Sequence, residues 1–176
     1  LYYPHSLEQA LKVSRKDDSF VARPVRLELD TREQVAKALG ADPQEIYFTG
    51  CGTESDNWAI RAAAWQGRHT GRHIITTAVE HSAVLEPCRQ LEQEGYAVTY
   101  LAPDRQGNIT AQQVADALRE DTALVSVMLV NNETGCVFPV GEIARLLRAR
   151  GSRALLHTDA VQAFLKLPFR ADTLGA

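Results

Sequence analysis

Residues 122–130 read Thr-Ala-Leu-Val-Ser-Val-Met-Leu-Val, "TALVSVMLV". The run is too rich in β-branched residues for a helix, and it lacks the polar alternation of a strand with one wet face. A continuous apolar strand is buried on both sides, and a sheet covered on both sides needs helices above and below it. This stretch therefore decides the fold, and its neighbours agree. Upstream, Thr110 and Gln113 form a capping box ahead of a helix in "AQQVADALRE", after a Gly107-Asn108 turn. Before that turn come a strand "AVTYLA" (97–102) and a helix "HSAVLEPCRQLEQEGY" (81–96), whose Pro87 sits near its start or kinks it. A strand "HIITTA" (73–78) follows a helix "SDNWAIRAAAW" (55–65). Downstream, a helix "VGEIARLLRARG" (140–151) stops at Gly151, and "ALLHTDA" (154–160) is another strand. Strands and helices in this rhythm predict an α/β fold, a three-layer α/β/α arrangement around a mostly parallel sheet.

The amino-terminal part is less legible. Ser6 can open a short helix through "LEQALKV", with Pro24 closing what precedes it. Thr31 to Gln34 fits a second capping box, ahead of "VAKALG" and a stop at Gly40. "ADP" then turns the chain into an expected short strand, "EIYFT" (45–49).

Bulk properties narrow the function. The 176 residues make one ordinary domain, 45% hydrophobic and 23% charged, large enough for a real core. A net charge of −3 gives no reason to propose nucleic acid or an anionic membrane as partner. The cations from Arg145 to Arg153 suit the negative end of a helix dipole. No apolar run approaches a membrane span, and no signal peptide is visible. Cys51, Cys88 and Cys136 lack any CxxC spacing, which argues against disulfides or zinc and for a reducing cytosol; Cys88 and Cys136 read as buried free thiols.

In open α/β sheets ligands bind beyond the carboxyl ends of the strands. Four polar clusters fall there: "TGCGTESDN" (49–57), "VEHS" (79–82), "NNETG" (131–135) and "DAVQ" (159–162). The first offers glycines, the Thr53 hydroxyl and a helix start, which suit either a tight turn or an anion. It is neither a Walker loop nor a dinucleotide fingerprint, because the phosphate lysine and the third glycine are missing. His81 suits a helix cap, or a ring that stacks on a planar ligand and shuttles protons. Asn131 and Asn132 suit a turn, or amides that read a ligand hydroxyl. Asp159 suits an N-cap, or a carboxylate held against a protonated cofactor nitrogen. A phosphate cradle, a stacking ring, an amide and a carboxylate on one rim together describe a site for pyridoxal 5'-phosphate.

In order and spacing, "FTGCGTESDNWAIRAA", "TAVEHSAVLEP", "LVNNETGCVFPV" and "LLHTDAVQAFLKLP" resemble successive motifs of the cysteine desulfurases. These belong to the class V branch of the fold type I pyridoxal-phosphate enzymes. The likeness runs from about Val25 to Leu174. It implies that residues 25–176 are an incomplete cofactor-binding large domain, with 1–24 an amino-terminal segment poorly matched to the family. It also implies that Gly52 and Thr53 contact the phosphate, and that His81 stacks on the ring and moves protons. Asn132 faces the substrate side and ring oxygen, Asp159 pairs with the pyridinium, and Gln162 donates to the phenolic oxygen. The implied reaction takes sulfur from L-cysteine, leaving L-alanine and an enzyme persulfide for an acceptor such as an iron–sulfur scaffold or a thiolation protein. A homodimer is implied for the full-length parent.

The departures carry expectations of their own. The family's Schiff-base lysine belongs in a Ser-x-His-Lys-like segment and its sulfur-carrying cysteine on a mobile loop, both expected beyond Ala176. Lys166 aligns instead with the lysine of a family "GKLP", which is not the Schiff-base position. The chain is thus expected to be a fragment that does not turn over cysteine alone. A selenocysteine lyase, another class V aminotransferase-like enzyme and a non-catalytic interaction module are the alternatives.

Overall fold

The computed structural model describes residues 22–176, with side chains from residue 31 onward. The helix expected from Ser6 lies outside the described residues. Two compact units divide the chain, one ending at Gly50 and one spanning Cys51–Ala176.

Among the described residues of the first unit, the helix α1 spans Ala22–Leu39. Thr31 lies inside it, so the capping box expected at Thr31–Gln34 does not open a helix, and Pro24 sits in the first described turn. A cap contributes only about 1 kcal/mol, less than extending a helix already begun, and proline is tolerated in a first turn. The helix ends as expected at Gly40, in the left-handed region at φ 69°. A genuine capping box follows at Asp42 and Glu45, around a 3-10 turn at Pro43–Glu45. Ile46 is extended, at φ −91° and ψ 122°, yet 46–49 forms no strand. The expected strand "EIYFT" is corrected on that point: β-propensity supplies an extended backbone, but a strand also needs a neighbour's ladder.

The second unit carries α2 (Gly52–Gly67), β1 (His73–Thr77), α3 (Ser82–Gln93), β2 (Ala97–Leu101) and α4 (Ala111–Ala117). It continues with β3 (Thr122–Ser126), α5 (Val140–Ala149), β4 (Leu155–His157) and the short α6 (Ala171–Leu174). The four strands form one parallel sheet in the order β2-β1-β3-β4. Alternate residues of the central strands feed two cores. Ile74 and Leu124 pack with Ile60, Ala64, Val84, Cys88 and Leu91 of α2 and α3. Ile75 and Val125 turn the other way, into a cluster that includes Val114 of α4 and Val140, Ile143 and Leu147 of α5. Both faces are covered, as the run at 122–130 requires. Gly67 makes one of these packings possible, since a Cβ there would lie 2.8 Å from the Ala123 Cβ.

The β3 ladder ends at Ser126, four residues short of the expected boundary. Its next amides are still bonded, Val127 N to His157 O (3.1 Å) and Leu129 N to Asp159 O (2.9 Å). Between them the Met128 amide donates to a side chain, Glu80 Oε1, at 2.8 Å. A carboxylate has replaced the β1 side of the ladder. The Thr110–Gln113 capping box is present as expected, with α4 shorter than its sequence pattern. Cys88 is buried, but Cys136 is only half-buried, which corrects its expected burial. Among the described residues no helix is long and apolar enough to cross a membrane.

Candidate active site at the carboxyl ends of the strands

The chain leaves β1 toward β2 on one side and returns through β3 to the other. The crevice between β1 and β3 is thus the switch point, where doubly wound sheets bind ligands. The predicted clusters are tied to one another around it. Asn131 Nδ2 donates to Val79 O (2.9 Å), joining the loop after β3 to the loop after β1. The first residue of α2 meets the segment after β4: a Cβ on Gly52 would lie 3.3 Å from Val161 Cγ2.

At the start of α2 the N-cap, Cys51, is extended and makes no side-chain cap hydrogen bond. The Thr53 side chain is exposed. A glycine in the first helical position, a hydroxyl and the helix dipole suit an anion at this end.

His81 serves as the N-cap of α3, its Nδ1 accepting from Ala83 N at 3.2 Å. That bond places the proton of a neutral ring on Nε2, and the ring is exposed. Both sequence readings of His81 are therefore compatible, because the cap uses one nitrogen and leaves the other.

The two asparagines divide. Asn131 is buried and committed: its Oδ1 accepts from Glu133 N, Thr134 N and Thr134 Oγ1, tying the "NNETG" turn. Asn132 is exposed. Of the pair, it has the amide available to a ligand.

Asp159 is buried, and its Oδ1 accepts from Val161 N at 2.9 Å. Its Oδ2 has no hydrogen-bond partner among the described residues. Gln162 is half-buried; its Oε1 accepts from Lys166 Nζ at 2.8 Å, so its amide nitrogen remains as the free donor.

Sequence reasoning missed a buried acidic group behind this rim. Asp56 is 6% exposed, and burial, followed by the charge of Asp159, raises its pKa from 3.8 to about 7. Glu80 is 5% exposed and is raised from 4.5 to about 7, mainly by burial, against the hydrogen bonds from Met128 and Thr77. Its Oε2 is buried with no partner. His157 is pushed down to about 4 by burial, its Nδ1 lies 2.9 Å from Ser126 Oγ, and its Nε2 lies 3.6 Å from Asp56 Oδ1. Between about pH 4 and 7 that last contact joins two neutral groups and is no ion pair. The signal was present in the sequence: Asp56 heads the stripe Asp56, Ile60, Ala64, Gly67, whose spacing buries one face of α2.

Pyridoxal phosphate fits these residues. A helix start at a glycine suits the phosphate, and a buried carboxylate with one oxygen unspoken for suits a protonated ring nitrogen. Protonated Asp56 and Glu80 leave the negative charge of the cluster on Asp159.

A parallel sheet with helices on both faces defines an α/β domain of the three-layer, fold type I kind. The chain belongs to the aminotransferase class-V family, whose profile matches residues 5–176. It is 53% identical over 142 residues to a cysteine desulfurase of Nostoc sp., covering 81% of this chain and 35% of that protein. It is likewise 53% identical over 143 residues to the cysteine desulfurase IscS of Klebsiella pneumoniae, with 81% and 35% covered. Among solved structures it resembles SspA in complex with cysteine, at TM-score 0.82 and 39% identity, covering 88% of this chain and 44% of that one. It also resembles DndA from Streptomyces lividans, at TM-score 0.82 and 38% identity, with 98% and 49% covered. The chain spans about a third of the length of the curated relatives it matches.

Proposed function

We propose that this chain is the cofactor-binding core of a cysteine desulfurase, which takes sulfur from L-cysteine, releases L-alanine and leaves a persulfide on an enzyme cysteine. The observation that carries the reading is that the start of α2, at Gly52, meets the segment just after β4, where Asp159 is a buried carboxylate with one oxygen unspoken for. The likeness to proteins named cysteine desulfurase, and to one solved with cysteine, supports the substrate class.

Bound there, pyridoxal phosphate would supply an electron sink for chemistry at the substrate α-carbon. The chain's own residues divide the remaining work. The α2 amides and Thr53 hydroxyl hold the phosphate. Asp159 holds a proton on the ring nitrogen, its charge undiluted because its two acidic neighbours are protonated below about pH 7. The Gln162 amide nitrogen donates to the phenolic oxygen. His81, its Nδ1 held by the Ala83 amide, would supply the stacking ring and a proton-carrying Nε2. Asn132 faces the substrate side. A homodimer, a cytoplasmic location and transfer of sulfur to an iron–sulfur scaffold or thiolation protein complete the proposal.

The test is Asp159→Ala in the gene product that carries this sequence, assayed for alanine and sulfide from L-cysteine. The expected loss is on the order of 10²-fold or more, as for other preorganised charge contacts. Activity retained within a few-fold would refute the role of Asp159.

A further inference from the structure

Pro87 sits in the middle of α3 and has no amide hydrogen to give the carbonyl four residues back, that of Ala83. A side chain from another helix takes the vacancy. Asn57 Nδ2 donates to Ala83 O at 3.2 Å, while also donating to Thr53 O within its own helix at 2.9 Å. Ala83 is in turn the residue whose amide fixes the His81 ring. One amide nitrogen thus touches the backbone of the phosphate-binding residue on one side and the residue that orients the stacking ring on the other.

We propose that Asn57 is a positioning residue that sets the spacing between the start of α2 and His81, using the carbonyl that Pro87 leaves open. The proposal rests on the functional reading above and extends it to a residue outside the site. A proline in mid-helix ordinarily costs a hydrogen bond; here the unfilled acceptor becomes the attachment point between two helix starts. A ligand that touches only α2 does not sense the spacing. A ligand that spans both helix starts does.

Asn57→Ser separates the two bonds. A serine hydroxyl keeps an acceptor within its own helix, the carbonyl four residues back, but is too short to cross to Ala83. In this chain the variant is expected to bind pyridoxal phosphate roughly five-fold more weakly, the worth of one hydrogen bond. Inorganic phosphate, titrated as a competitor, should bind as before. Weakening of both probes alike, or of neither, overturns the positioning role. A second measurement needs no cofactor: in thermal unfolding Asn57→Ser should lower the midpoint by about 3 °C, and Pro87→Ala, which restores a backbone donor to Ala83 O, should largely abolish that loss. Additive effects of the two substitutions overturn the link itself. If the unmodified chain binds no pyridoxal phosphate, the functional reading fails and takes the positioning role with it, while the unfolding cycle still decides the link.

Discussion

The two ends of the same four-stranded sheet handle their polar groups in opposite ways. At the amino ends every partner is found. His73 is fully buried between two hydroxyls, its Nδ1 2.8 Å from Thr122 Oγ1 and its Nε2 2.9 Å from Thr99 Oγ1. Thr122 Oγ1 also accepts from the Arg119 amide, so the hydroxyl ties the ring to the turn before β3. Gly71 packs so tightly that a Cβ would lie 2.1 Å from Asp121 O. Toward the carboxyl ends the accounting stays open. Thr76 Oγ1, Glu80 Oε2 and Thr158 Oγ1 are buried without partners, and two carboxyl groups are held near pKa 7. Buried polar groups left unmatched cost stability. A fold that seals one end and leaves the other unsatisfied has its strain at the end where the proposed cofactor would sit.

The contrast can be broken first through pH. Glu80 has its folded pKa raised above the unfolded value, from 4.5 to about 7. Between those values the folded state holds a proton that the unfolded chain has released, so stability falls as pH rises through the window. His157, lowered from 6.5 to about 4, acts with the opposite sign between those values, and Asp56 adds to Glu80. Glu80→Gln should therefore gain on the unmodified chain as pH rises from 4.5 to 7, by on the order of 3 kcal/mol across the window. Urea unfolding at several pH values measures it. An unchanged difference between the two proteins would mean that Glu80 is ionised in the fold.

Next, His73→Ala removes a satisfied group from the sealed end. It should cost about 2 kcal/mol of stability and leave affinity for pyridoxal phosphate unchanged, as read by equilibrium unfolding and by ligand titration. An affinity loss would show the two ends to be coupled. Thr53→Val is the mirror experiment: cofactor affinity should fall about ten-fold, one charge-assisted hydrogen bond, with little change in the unfolding midpoint. The smallest effect concerns Leu165, at φ 62° and 85% exposed. Glycine adopts that left-handed conformation without the cost of roughly 1 kcal/mol that leucine incurs. Leu165→Gly should thus raise stability by about that amount in thermal unfolding.

What could be read from the sequence followed from how many residues shared each signal. The parallel sheet was legible because "TALVSVMLV" and its neighbours repeat one pattern, and because every residue of β1 and β3 is buried. Single-residue signals fared unevenly. The same Thr-x-x-Gln spacing caps α4 at Thr110 yet lies inside α1 at Thr31, since a local cap yields to a helix already under way. "EIYFT" has strand composition without a strand, because pairing is a property of the neighbour. Three of the rim motifs were visible as polar clusters after strands, and the fourth, at Gly52 and Thr53, by its glycines at a helix start rather than by the strand expected before it, but the acids behind them were not. Asp56 looks like a polar helix-start residue until its register with Ile60 and Ala64 is counted, and Glu80 looks like a loop residue until Met128 is found on it. The Asn57–Ala83 bond joins residues 26 apart, and only the Pro87 vacancy hints at it.

The measurement that bears most directly on the central claim is an amide-resolved NMR titration of this chain with pyridoxal phosphate. The account predicts shifts concentrated at Gly52 to Ser55, His81 to Ala83, Asn132 and Asp159 to Gln162, with the His73 and Thr122 amides unmoved. Saturable shifts that cluster elsewhere, or no saturable shift at the start of α2, would contradict it.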